Sequence, residues 1–161
     1  MQFTVRDFRP EDFETIWTLD QSCFAPGIAY SRYELLTYMR RPGAFTLVAE
    51  STELSSRGTS ILGFVVAETG RRETGHVITI DVQAAARRYG VGSTLLSAAE
   101  EKLRIAKSHA IRLETAVDNT SALQFYKRHG YDVIRVIPHY YSNSVDALLL
   151  EKNLLSVKSA D

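Results

Sequence analysis

Apolar and polar positions follow two rhythms along the chain, and the changes between them mark out its elements. Phe3 to Arg6 (FTVR) alternates as a strand does, and Pro10-Glu11-Asp12 then offers the proline and acids that open a helix. Phe13, Ile16, Trp17 and Leu19, with Phe24 just beyond, give a broad apolar face to a helix over about Glu11 to Cys23. Pro26-Gly27 ends it, and Ser31 can cap a second, shorter helix through Tyr33, Leu35, Leu36 and Met39. From Ala44 the rhythm shortens to three apolar runs, Ala44 to Ala49, Ser60 to Glu68 and His76 to Val82, the pattern of an antiparallel meander. The stretch TELSSRGTS between the first two runs is expected to be a flexible hairpin connection. Val91, Leu95, Ala99 and Leu103 then recur every four residues, widened by Leu96 and Ala98, which predicts a helix over about Gly90 to Ala106. A strand at Ala110 to Val117, a helix at Asn119 to His129 capped by Gly130, and strands near Asp132 to Ile137 and Ala147 to Asn153 complete the chain.

Composition narrows the setting. With 161 residues, 45% of them apolar, the chain can bury one proper core, and no repeat or second domain is visible. A single domain over 1–154 with a polar tail at 155–161 is the expectation. Lys+Arg and Asp+Glu balance at 19 each, so neither a nucleic acid nor a membrane surface is an expected partner. The single cysteine, Cys23, excludes an internal disulfide and a multi-cysteine zinc site, and no metal is expected. The N-terminal stretch lacks a signal peptide's apolar core. The longest apolar run, Ile61 to Ala67, falls well short of the roughly 20 residues of a membrane helix. A cytoplasmic protein is the expectation.

The stretch Arg87 to Ser93 (RRYGVGS) lies between a strand and a helix. Its glycines let backbone N–H groups approach a ligand, the following helix presents the positive end of its dipole, and the arginines add charge. That combination suits an anion such as a phosphate. It is neither a P-loop, since no lysine follows Gly92, nor a dinucleotide fingerprint, since Leu95 stands where the third glycine belongs. A tight turn with solvated arginines is the plain alternative.

Arg87-x-x-Gly90-x-Gly92, preceded by HVITIDV and followed by STLLSAAEEKL, resembles the signature of the GCN5-related N-acetyltransferase (GNAT) family. The order of elements follows that family over nearly the whole chain. The stretches GHVITIDVQAAARRYGVGSTLL, LETAVDNTSALQFYKRHGY and PHYYSNSVDALLLEKNL are most similar to ribosomal-protein alanine N-acetyltransferases and other N-terminal acetyltransferases. The resemblance implies an α+β fold, a central, mixed, mostly antiparallel twisted sheet of about seven strands with about four helices. It implies acetyl-CoA as the cofactor, with its pyrophosphate at Arg87, Arg88, Tyr89, Gly90, Val91, Gly92 and Ser93 and its pantetheine arm along the backbone of Ile80, Asp81 and Val82.

Acyl transfer to an amine needs a base for the amine and an acid for the departing thiolate. Glu114 lies mid-strand with Arg112 and Ala116, opposite Ile111, Leu113, Thr115 and Val117. Spacing alone equally fits a surface glutamate paired with Arg112 or with a charge on the next strand. The resemblance implies the base, because that family's glutamate precedes an asparagine by five residues, as Glu114 precedes Asn119. Tyr126 follows Asn119 by seven residues, two helical turns, so the two share a helix face. By themselves they could be a cap and a core aromatic. The pattern Asn119, Ala122, Phe125, Tyr126 implies instead that Asn119 contacts the cofactor and Tyr126 is the acid. His76 could be a substrate-side residue or second base, or simply structural. His129 is expected to be a solvated helix end.

Tyr140-Tyr141 resemble the hairpin over the peptide site of N-terminal acetyltransferases, faced by the loop Phe24 to Ser31 that carries Tyr30. The chain lacks the tryptophan that ribosomal-protein enzymes carry after the proline, and has Ala116 where many relatives have arginine. The implied acceptor is a protein or peptide N-terminus, a ribosomal protein among the candidates, and the implied assembly a monomer or homodimer. A lysine or small-molecule amine acceptor is the alternative within the fold, and a CoA-binding module without turnover the alternative outside catalysis.

Overall fold

A computed structural model describes residues 1–54 and 60–155 of the chain. Most of the expected hairpin connection, and the tail beyond residue 155, lie outside the described residues. The elements run β1 (Phe3–Asp7), a 3₁₀ turn (Pro10–Asp12), α1 (Phe13–Cys23), α2 (Arg32–Met39), β2 (Ala44–Ser51), β3 (Ile61–Thr69), β4 (Thr74–Val82), α3 (Val91–Ile105), β5 (Ala110–Ala116), α4 (Thr120–Arg128), β6 (Asp132–Ile137) and β7 (Ala147–Asn153). This is the order read from the pattern.

Local chemistry sets the boundaries. Pro10 opens a 3₁₀ turn rather than α1 itself, and Asp12 closes that turn by accepting the Arg9 N–H at 2.8 Å, so the helix starts two residues later than its acids suggested. Ser31 caps α2 in a reciprocal box with Glu34, each side chain taking the other's backbone N–H. Gly130, at φ 89°, ends α4 in the left-handed conformation that a residue with Cβ resists.

The seven strands form one sheet in the order β1-β2-β3-β4-β5-β7-β6, in which only the β4–β5 pair is parallel. One apolar cluster, built on Leu95, Leu96, Ala99 and Leu103 of α3 with Ile111, Leu113 and Tyr126, fills one face. A smaller one, Ile16, Leu19 and Leu35 against Val48, Phe64 and Val66, fills the other beneath α1 and α2. Burying each such aliphatic side chain contributes about 1.5–3 kcal/mol, which fixes which way the strands that carry them face.

Two irregularities in β4 open the middle of the sheet. Opposite β3, the register passes from Val66↔Thr79 to Ala67↔Val77, so Ile78 is an extra residue in a bulge. Opposite β5, the parallel pairing covers only Thr74 to His76. Beyond His76 the two strands part, and the edge of β4 from Ile78 to Val82 has no partner in β5.

Candidate active site

The parting of β4 and β5 makes a notch in the sheet, and the sequence-predicted residues gather around it. His76 stands at the last paired position of β4, and Glu114 two residues along β5 from its register partner Arg112. Across this gap His76 Nε2 lies 2.7 Å from Glu114 Oε2, and His76 Nδ1 lies 3.7 Å from Glu68 Oε1 on β3. Arg112, which could have paired with Glu114, turns instead to Glu151 of β7 at 2.6 Å. Glu114 is thus held by the histidine of the neighbouring strand. Burial opposes the charged imidazole, yet the hydrogen bond and charge of Glu114, together with Glu68, outweigh it and raise the His76 pKa above its ordinary value.

On the cofactor side, Gly90 stands at φ 82° with open space where a Cβ would be, and no side chain caps the α3 N-terminus behind it. The first turn of α3 carries no acid, so its N–H groups remain available to an anion. A Cβ on Gly92 would come within 3.3 Å of the Phe125 ring, so α3 and α4 approach closely there. Arg88 and Tyr89 are exposed, while Arg87 turns back along β4, its Nε 3.3 Å from the Val82 carbonyl and Nη2 3.9 Å from Cys23 Sγ. An unpaired strand edge ending at an uncapped helix suits a ligand with an amide-bearing arm and a pyrophosphate. By that measure the residues fit acetyl-CoA: Ile80 to Val82 for the arm and Arg88 to Ser93 for the phosphates.

α4 approaches from the other side of the notch. Asn119 is its N-cap, its side chain accepting the Ala122 N–H at 3.2 Å. Tyr126 is buried, its ring edge-on to Phe125 and Tyr131. Burial, and then the nearby Asp81 carboxyl, push its phenol well above the usual range, so it keeps its proton. His129 corrects one expectation. It is not a solvated helix end: Nε2 meets the Ser93 hydroxyl at 2.9 Å, Nδ1 meets the Phe125 carbonyl at 3.0 Å, and the ring packs on Phe125. It ties the end of α4 to the start of α3.

The opposite wall is aromatic. Tyr140 and Tyr141 stack edge to face at 4.9 Å in the β6–β7 loop, and Tyr30 meets Tyr38 of α2 at 5.3 Å. The two loops touch. Ser142 N donates to the Gly27 carbonyl at 3.1 Å, and a Cβ on Gly27 would strike Asn143. Burial, then the Glu114 charge, pushes the Tyr140 hydroxyl up to about 12. Glu68, Tyr38 and Asp20 went unremarked in the sequence. Asp20 carried a signal: it sits on the apolar stripe of α1, one turn beyond Ile16 and beside Leu19, where a charge is out of place.

The profile of the Acetyltransferase (GNAT) family matches residues 12–131. Among curated proteins, the chain is 35% identical over 77 residues to an N-alpha-acetyltransferase of Sulfurisphaera tokodaii, covering 47% of the chain and 46% of that protein. It is 25% identical over 164 residues to an N-alpha-acetyltransferase of Saccharolobus solfataricus, covering 94% and 93%. The chain spans about half the length of the first relative and nearly all of the second. Among solved structures, Ard1 from Thermoplasma volcanium superposes with a TM-score of 0.84 at 27% identity, over 97% of this chain and all of that one.

Proposed function

The chain belongs to the acetyltransferase (GNAT) family, and from that premise we propose that it transfers acetyl from acetyl-CoA to the N-terminal α-amine of a protein or peptide, with ribosomal proteins among the candidate acceptors. The observation that carries this is the 2.7 Å His76–Glu114 contact at the mouth of the notch, between the cofactor side and the tyrosine wall.

Acetyl-CoA supplies an acetyl group activated as a thioester. The chain's residues then have separate tasks. The backbone of Ile80 to Val82 binds the arm, and Arg87, Arg88, Tyr89 and the N–H groups from Gly90 to Ser93 hold the phosphates. Asn119, besides capping α4, faces the same side of that helix as Tyr126. Glu114 accepts the proton of the incoming amine, and His76, bonded to its Oε2, orients the carboxylate. Tyr126 Oη holds the proton given up on the leaving-group side. Tyr30, Tyr140 and Tyr141 flank the acceptor and keep water from the notch.

The test is to incubate the protein with acetyl-CoA and peptides that each carry a free N-terminus and an internal lysine, locating the added acetyl by tandem mass spectrometry. Acetyl on the α-amine is the expected result. Acetyl on lysine would move the acceptor to side-chain amines, and cofactor binding without transfer would overturn the catalytic reading.

A further inference from the structure

Beneath the notch lies a pair of acids with no assigned role. Asp20 on α1 is fully buried and Asp81 on β4 is 2% exposed. Ile80 and Val82 pack on the α3 face of the sheet, so Asp81 between them points to the α1 face, where Asp20 waits. Two of the four carboxyl oxygens have donors. Asp20 Oδ2 accepts the Tyr30 N–H at 2.8 Å, and Asp81 Oδ1 accepts the Thr79 hydroxyl at 2.8 Å. The other two, Asp20 Oδ1 and Asp81 Oδ2, receive no donor. α1 lies against β4 here, with Cys23 Sγ 3.7 Å from the Val82 carbonyl and Tyr30 spanning from Asp20 to the Ile78 carbonyl, so the two buried carboxyl groups face each other across one seam.

Ionised carboxylates only accept hydrogen bonds, so these oxygens can satisfy each other only if one bears a proton. Two sealed negative charges in contact would also repel strongly in so low a dielectric. The charge of Arg87 offsets only part of this, because its nitrogens turn to the Val82 carbonyl and Cys23 rather than to either carboxylate. Among the described residues no third His, Cys, Asp or Glu completes a metal-binding group.

We propose that Asp20 and Asp81 share one proton, and that the resulting pair is a positioning element fastening the Tyr30 wall of the acceptor cleft to the Ile80–Val82 segment of β4. Its role in the cleft rests on the transferase reading above. Tyr30 is held at both ends: its N–H by Asp20, its hydroxyl 3.4 Å from the Ile78 carbonyl of β4. Removing the proton sets two buried anions against each other across the seam between α1 and β4. The groups facing the pair are Tyr30 and Thr79 by hydrogen bond and, through their charge or dipole, Cys23 of α1, Glu34 of α2, Arg87 and Tyr126 of α4.

Burial raises both acids above the ordinary carboxylate value, Asp81 the further. The folded protein therefore binds more protons than the unfolded chain. The stability this confers is complete below the ordinary Asp pKa of about 4 and is lost as pH rises through the raised values.

Asp81→Asn tests the pair, because its amide can donate to Asp20 Oδ1 with a hydrogen that does not titrate. The ligand-free wild type should show the infrared C=O stretch of a protonated carboxylic acid at neutral pH and a melting temperature that falls with pH more steeply than that of Asp81→Asn. Asp81→Asn should lack that band. Asp81→Ala should speed hydrogen exchange at the Tyr30 amide, and raise KM for an acceptor peptide with a free N-terminus about tenfold, the loss of one buried hydrogen bond, while Asp81→Asn restores both. Parallel melting profiles and no acid band would overturn the shared proton, and unchanged Tyr30 exchange in Asp81→Ala would overturn the positioning role. The band, the melting slope and the exchange need no turnover. If they are as expected while no peptide is acetylated, the pair stands and the transferase reading falls.

Discussion

Glu114 and Asp81 are carboxylates on strands that begin side by side, and their surroundings give them opposite work. Glu114 looks into the notch at a histidine, whereas Asp81 is sealed against another acid. A base must reach the amine, so Glu114→Gln should lower kcat by about 10² or more with cofactor affinity unchanged, and equal rates would move the base elsewhere. His76 adds a pH dependence. Its pKa is raised by Glu114 and Glu68 against the opposing pull of burial, so at acid pH it is charged and weakens Glu114 as a proton acceptor. Activity should therefore climb as pH rises through that raised value. Glu68→Gln removes one of the two anions and should shift the acid limb of kcat/KM to lower pH, and a limb that stays in place would show that His76 does not govern it. From sequence alone, Glu114 fitted a surface ion pair as well as a base. In the structure Arg112 is taken by Glu151 and Glu114 meets His76 of the next strand, a cross-strand choice that no local spacing encodes.

At the scale of elements, the strands and helices were legible because each announces itself locally. β6 and β7 fall where expected, Asp132–Ile137 and Ala147–Asn153, and the α3 helix needs only its four-residue repeat of Val91, Leu95, Ala99 and Leu103. What the pattern could not contain is how elements meet. The bulge at Ile78 and the parting of β4 from β5 after His76 depend on register with strands far away in the chain. The Asp20–Asp81 pair joins two elements whose only common property in the sequence is an acid on a buried face. His129 makes the same point in reverse: its place beside Gly130 suggested solvent, but α4 lies against α3 closely enough for the imidazole to reach Ser93. That contact can be tested. His129→Ala removes the two hydrogen bonds of a half-buried ring and its stacking on Phe125, and should cost about 1–3 kcal/mol of stability. It should also raise KM for acetyl-CoA, because Ser93 and the start of α3 lose their tether. A variant as stable as the wild type by denaturant unfolding would show the contact to be incidental.

Across the whole molecule, the sheet is two blocks joined by a short seam. β1 to β4 form an antiparallel meander, β5 to β7 a second antiparallel group, and among the described residues the only strand pairing between them is Thr74–His76 with Ala110–Arg112. α3 bridges them by packing on the first block and leading into the second. No helix among the described residues is long and apolar enough to cross a membrane. A ligand lying along the open edge of β4 and ending at the N-terminus of α3 would fill the place where the two blocks are least joined. Acetyl-CoA binding to the folded state alone should then stabilise the chain by mass action, by about 2.7 kcal/mol at a hundred times its Kd. For a domain of this size that corresponds to a rise in Tm of about 5–10 °C, increasing with the logarithm of cofactor concentration. Hydrogen exchange locates the effect. Protection should grow at the β4 amides from Ile78 to Val82 and in the first turn of α3, while β1 and β2, remote from the notch, gain only the global increment. A flat melting curve across millimolar acetyl-CoA would remove the cofactor from this chain, and protection spread evenly over the sheet would remove it from the notch.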